Sequence, residues 1–206
     1  MRRIDELLQR LRDASAALPA IEHPGPFDVP DERDPLALLE ERVCALGPDG
    51  ESSFAIVEDN DALLTRLRAD YPERLRAEWV VGDEAAAPMF YRFGLTEAHH
   101  LVARSGTIVL DVARALESLS SLVVEEHVVV ASVDRVVMTL DQLPPLARGA
   151  KTRILISGPS RTADIEKTLV IPAHGPCRTA LYLVRGTLDF GALVSRFFSS
   201  SDRGAG

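Results

Sequence analysis

The segment Ile154-Leu155-Ile156-Ser157-Gly158-Pro159-Ser160-Arg161-Thr162-Ala163-Asp164-Ile165-Glu166 passes from three consecutive apolar residues into a Gly-Pro turn, then into hydroxyls, an arginine and two acids. An apolar run with no polar alternation suits a strand buried on both faces, as in a parallel sheet flanked by helices. Val128-Val129-Val130 reads the same way. Further short apolar runs at 54–57, 79–81, 101–102, 107–110, 169–171 and 181–184 are separated by stretches that include two with helical spacing. Residues 59–71 carry Leu63, Leu64 and Leu67 on one face, and 188–198 reads as a final helix. There is no internal repeat. The alternation predicts an α/β fold with a mostly parallel sheet.

A loop that follows such a strand lies beyond its carboxyl end, where open α/β sheets bind ligands. There a glycine and the free N–H groups of a helix start cradle an anion. Ser160 and Thr162 offer hydroxyl donors and Arg161 a charge-assisted fork. Asp164 and Glu166 stand behind, placed to orient Arg161 or to accept a substrate hydroxyl. A helix cap at Ser160 or Thr162, with the acids complementing the helix dipole, accounts for the same residues equally well. No Gly-x-Gly-x-x-Gly or Walker-type loop is present, which argues against a nucleotide cradle of the standard type.

The chain has 206 residues, enough to remove roughly 70% of its surface from water without staples. It is 46% hydrophobic and 26% charged, with a mean hydropathy of +0.04. Two cysteines, Cys44 and Cys177, exclude a disulfide framework and any iron–sulfur cluster or Cys-rich zinc site made by this chain alone. No apolar stretch approaches the roughly 18–20 residues that span a bilayer, and the start lacks a signal-peptide core, so a cytoplasmic location is expected. The net charge of −8 argues against non-specific nucleic-acid binding. It is uneven: residues 1–97 hold 21 acids and 11 arginines, whereas 98–206 hold 10 acids and 12 bases, which places anion affinity in the second half.

Ile4, Leu7, Leu8 and Leu11 predict an amphipathic helix, and Pro19, Pro24, Pro26, Pro30 and Pro35 an extended arm leading into a second helix capped by Asp34. That helix places Leu36, Leu39, Val43 and Leu46 on one face. The expected divisions are 1–50 for helices and arm, 51–198 for the α/β domain and 199–206 for a polar tail. Among titratable residues, His174 lies in a loop before Gly175-Pro176, and His127 directly precedes a strand. Both are proton-transfer candidates, with a structural histidine as the plainer alternative. His99-His100 on a strand point to opposite faces, which rejects a shared metal. Ser105-Gly106-Thr107 reads as a tight turn, Glu125-Glu126 as solvated, Cys44 as core and Cys177 as an inert small residue. No Gly-x-Ser-x-Gly elbow is present.

The run 157–166 resembles the signature of the LUD-domain family. His174-Gly175-Pro176 is similar to that family's second block; Gly94-Leu95-Thr96 with Ser105-Gly106-Thr107 resembles its first, and His127 the histidine before its next strand. The resemblance covers roughly residues 53–188. It implies a three-layer α/β/α sandwich like the NagB/RpiA/CoA-transferase group, here with an N-terminal helical extension. It also implies a role in a multi-subunit system that oxidises L-lactate to pyruvate, beside iron–sulfur partner subunits. Two positions depart from the family pattern: Arg104 replaces an acid, and Glu125-Glu126 replaces a Pro-Pro pair. On this reading His174, Asp164 and Glu166 are the catalytic candidates. Gly158, Ser160, Arg161, Thr162, Thr107 and His127 would hold a small carboxylate or phosphate-bearing ligand. No metal or cofactor is expected in this chain, the clusters belonging to its partners. The alternatives are a stand-alone enzyme acting on a phosphorylated or CoA-linked metabolite, and a non-catalytic assembly subunit docked through residues 1–35.

Overall fold

The computed structural model describes residues 33–46, 52–72, 76–82, 91–113, 119–158, 162–163, 169–170 and 175–199. The helix expected at Ile4–Leu11, the arm up to Pro30 and the tail from 200 onward lie outside the described residues.

Helix α1 (Pro35–Leu46) starts where Asp34 Oδ2 accepts the Ala37 N–H at 3.1 Å. It buries Leu38, Leu39 and Val43, a face rotated slightly from the expected one. Strand β1 (Ser53–Val57) follows, then α2 (Asn60–Asp70), whose N-cap Asp59 accepts from Ala62 N–H at 2.8 Å. The chain continues through β2 (Trp79–Val81), β3 (Tyr91–Glu97), β4 (His100–Val102), β5 (Thr107–Val112), the short helix α3 (Leu119–Leu122) and β6 (Val124–Ser132). Then come β7 (Val136–Val137), β8 (Thr152–Ile156), β9 (Thr162–Ala163), β10 (Leu169–Val170), β11 (Arg178–Val184) and α4 (Phe190–Phe197).

The main sheet has five strands in the order β1-β11-β6-β3-β2, every pair parallel. Val128, Val129 and Val130 are fully buried at its centre, as an uninterrupted apolar run requires. One face carries α2 and α4 over a core of Leu63, Leu67, Trp79, Val128, Val130, Tyr182 and Phe197. The opposite face packs Val129, Ala131, Leu181 and Leu183 against α1 and a second, four-stranded sheet in the order β7-β4-β5-β8. The α/β class and the mostly parallel sheet are as expected. What the pattern of runs did not separate is that several of them build this second sheet.

Residues 154–156 are one of those. β8 pairs antiparallel with β5 at the border of the second sheet rather than lying inside the parallel one. Ile154 and Ile156 pack on the core, but Leu155 is 49% exposed. Three apolar residues are too few to distinguish two-sided burial from alternation with an exposed leucine. The loop after Ile156 therefore does not lie beyond the carboxyl end of a parallel strand. The helix start expected near Thr162 is also corrected: Thr162 and Ala163 form β9 and pair antiparallel with β10. Thr162 therefore does not begin a helix, whereas Ser160 and residues 164–168 lie outside the described residues.

Candidate functional site

At the carboxyl ends of β2 and β3 the structure opens a cavity of about 180 Å³. Gly82 leaves β2 with φ 53° and its N–H donates to Leu95 O at 2.8 Å, extending the β2–β3 ladder by one bond. Ser120 Oγ on α3 donates to Gly82 O at 2.8 Å. Thr96 and Glu97 end β3 at the same rim, and Phe190, first residue of α4, closes the cavity with Leu110 and Val112 as its apolar wall.

His99 occupies a bend between β3 and β4 rather than a strand, and lines this cavity. Its Nδ1 accepts the backbone N–H of Asp111 at 3.2 Å, so the neutral ring carries its proton on Nε2. His100, next in the chain, begins β4 and does not line the cavity. Glu97 has its pKa raised, chiefly because burial disfavours its charge, with His99 and Arg135 pulling the other way.

Asp111 is buried in β5 and held by a two-pronged pair: Arg153 Nε donates to Oδ1 at 2.7 Å and Nη2 to Oδ2 at 2.9 Å. Ala147 N–H adds a third bond at 2.9 Å, and the Arg153 hydrogen bonds keep the carboxyl below its usual range. Arg153 also donates to Pro144 O and Pro145 O, fastening the 144–150 loop to the sheet. The acid is thus committed to structure, and its charge is balanced beside the cavity.

Of the residues expected to form a site, Ser160, Arg161, Asp164, Glu166 and His174 lie outside the described residues, and Thr162 is described only as strand backbone. Gly158 has φ 86°, a left-handed turn that suits glycine. Thr107 Oγ1 joins a chain of hydroxyls, 2.6 Å from Ser105 Oγ and 2.7 Å from Ser157 Oγ. This cluster sits at one end of β5 and Asp111 near the other, about 13 Å away at 3.3 Å per residue. The foot of the 157–166 loop and the carboxyl-end cavity are therefore separate places.

His127 does not precede a strand. It is the fourth residue of β6, fully buried, between Gly94 of β3 and Thr179 of β11. Burial pushes its pKa down to about 3, so it is neutral at working pH. One ring nitrogen, Nε2, lies 2.8 Å from Thr96 Oγ1; the other, Nδ1, has no partner among the described residues. His127 thus reaches the cavity through Thr96. Glu126 is likewise corrected: it is half-buried and accepts the Tyr71 hydroxyl, while Glu125 is exposed.

The sequence does not single out Glu97, Asp111 or Arg153, and it offers His99 only as half of a pair that cannot share a metal. One signal was available: Asp111 interrupts the apolar run Ile108-Val109-Leu110-Asp111-Val112, and an acid buried in a strand requires a cationic partner. Nothing in spacing links Glu97 and His99 to it, since the β4–β5 pairing brings them together.

Residues 88–184 match the LUD domain. Lactate utilization protein C of Bacillus pumilus is 39% identical over 100 residues, covering 45% of this chain and 41% of that relative. Lactate utilization protein C 1 of Bacillus mycoides is 31% identical over 117 residues, covering 52% and 50%. The chain thus spans half or less of the length of these relatives. A crystal structure of a DUF162 family protein from Deinococcus radiodurans aligns over 73% of this chain and 96% of that one, with 17% identity and a TM-score of 0.49. Over residues 88–184 this chain is similar to the LUD domain, and across about half its length to lactate utilization protein C.

Proposed function

We propose that the chain serves lactate utilization and binds a short 2-hydroxy or 2-keto acid in the cavity at the ends of β2 and β3. The observation that carries this reading is the convergence of Glu97 and His99 there, inside the segment that matches the LUD domain. His99 Nε2–H donates to a ligand oxygen, its tautomer set by the Asp111 N–H. Glu97 accepts the 2-hydroxyl proton. Leu110, Val112 and Phe190 cover the ligand's methyl group, and about 180 Å³ suits a molecule of lactate's size.

Conversion of L-lactate to pyruvate releases two electrons and two protons. This chain's part is to bind the acid and take the hydroxyl proton; an acceptor on an iron–sulfur partner subunit would take the two electrons together with the Cα hydrogen. Purified alone, the protein therefore reduces no dye with lactate; turnover by the isolated chain without added cofactor overturns that division of labour.

The test is a thermal-shift panel on the full chain with L-lactate, pyruvate, phosphate, a sugar phosphate and CoA. Ligand at 100 times its Kd adds about 2.7 kcal/mol of stability. L-lactate and pyruvate raise Tm in wild type and in Arg161→Ala, and the effect disappears in His99→Asn. Stabilisation by phosphate or CoA instead, or dependence on Arg161 and not on His99, moves the site to the 157–166 loop and overturns the reading.

A further inference from the structure

A histidine with no solvent contact in the middle of a parallel sheet needs a reason. His127 is fully buried, flanked in the sheet by Gly94 and Thr179, and directly followed by the buried Val128, Val129 and Val130. Its hydrogen bond within the described residues is to the hydroxyl of Thr96, which lines the cavity. We propose that Thr96 is a ligand-binding hydroxyl of the carboxyl-end cavity and that His127 is the positioning residue that turns it into a donor. The inference rests on the cavity reading above and deepens it.

The argument is one of proton placement. Neutral imidazole has one N–H and one bare nitrogen. If the proton were on Nδ1, a donor would be buried with no partner among the described residues, and Thr96 would spend its own proton on Nε2. If it is on Nε2, that N–H donates to Thr96 Oγ1, and the unmet group at Nδ1 is a lone pair. Orphaned buried donors are the rarer outcome in proteins. The Nε2–H form therefore prevails. Thr96 Oγ1 then accepts from behind, its rotamer is narrowed by β-branching, and its own proton is free for the cavity. Together with His99 Nε2–H this makes two neutral donors at one rim. That is the complement of a carboxylate or keto oxygen, and it works beside Glu97 without a buried cation.

Affinity for L-lactate and for pyruvate is measured by calorimetry on the full chain, with Tm recorded for every variant. Thr96→Val removes the hydroxyl at constant volume and weakens both ligands about tenfold, whereas Thr96→Ser stays within about threefold of wild type. His127→Gln, whose amide retains an N–H donor, keeps most of the affinity, and His127→Leu loses as much as Thr96→Val. The double variant Thr96→Val with His127→Leu is no weaker than either alone, since the two residues act as one unit. Folded Thr96→Val with unchanged Kd overturns the proposal, as do additive losses in the double variant. If His127→Leu does not fold, the Val and Ser variants at 96 decide alone. Loss in His99→Asn with none in Thr96→Val rejects only this inference; no binding in wild type rejects the cavity reading with it.

Discussion

Two buried ionisable residues, His127 and Asp111, weaken the fold in acid, and they act in the same sense. His127 has a native pKa of about 3 against about 6.5 in the unfolded chain. Between those values the unfolded state binds the proton and the native state does not. Stability therefore falls as pH drops through that window, by roughly 1.4 kcal/mol per unit. Asp111, held low by Arg153, contributes stability above the unfolded carboxylate value near 3.9, which is lost as pH falls through its lower native value. Urea titrations from pH 7 to 4 should show a steady loss that flattens in His127→Gln; an unchanged slope would contradict the burial of the ring. Arg153→Ala leaves the Asp111 carboxylate buried and unpaired, for an expected cost of about 3–5 kcal/mol at pH 7. A cost below about 1 kcal/mol, also by urea unfolding, would mean the pair is in effect solvated.

Among the elements, those with a single local signature were legible. The helix over 59–71 needed only its leucines; the Asp59 cap is a finding of the structure, which Asp59→Ala tests at about 1 kcal/mol in Tm-derived stability. Central β6 announced itself by three valines. β3 did not, because Gly94 breaks its run, and the reason for that glycine is tertiary. A Cβ there would lie 1.7 Å from the Ser120 carbonyl oxygen of α3, backbone that cannot swing away. Gly94→Ala should cost at least ~3 kcal/mol, the upper end for overpacking, or prevent folding; a near-native Tm would show that α3 can shift. β8 reads as a strand from its apolar run, but that run does not say which sheet it joins. Partner choice there depends on β5, some forty residues earlier, which no local pattern encodes. The same distance effect hid the site: Glu97 and His99 meet Asp111 only once β4 folds back on β5.

At the scale of the whole molecule, one sheet serves two cores. β6 and β11 send Val128, Val130 and Tyr182 to one face and Val129, Leu181 and Leu183 to the other. The two faces should therefore unfold together. Trp79 reports on the first, buried against Phe93 at 4.6 Å with Tyr71, Phe197 and Phe198 edge-on around it. Its emission and the far-ultraviolet dichroism of the whole chain should give one midpoint in urea; separated transitions would show that the faces are independent. The strand order also bears on how the protein is made. β1, the first strand of the main sheet to leave the ribosome, has β11, the last, as its neighbour, with Ser53 opposite Ala180. At about 5–20 residues per second, β1 waits roughly 6–25 s for the strand that will cover it. Through that interval the apolar edge of Phe54, Ala55, Ile56 and Val57 is a nascent-chain hazard, and translation speed and chaperone capture decide how much polypeptide survives to close the sheet.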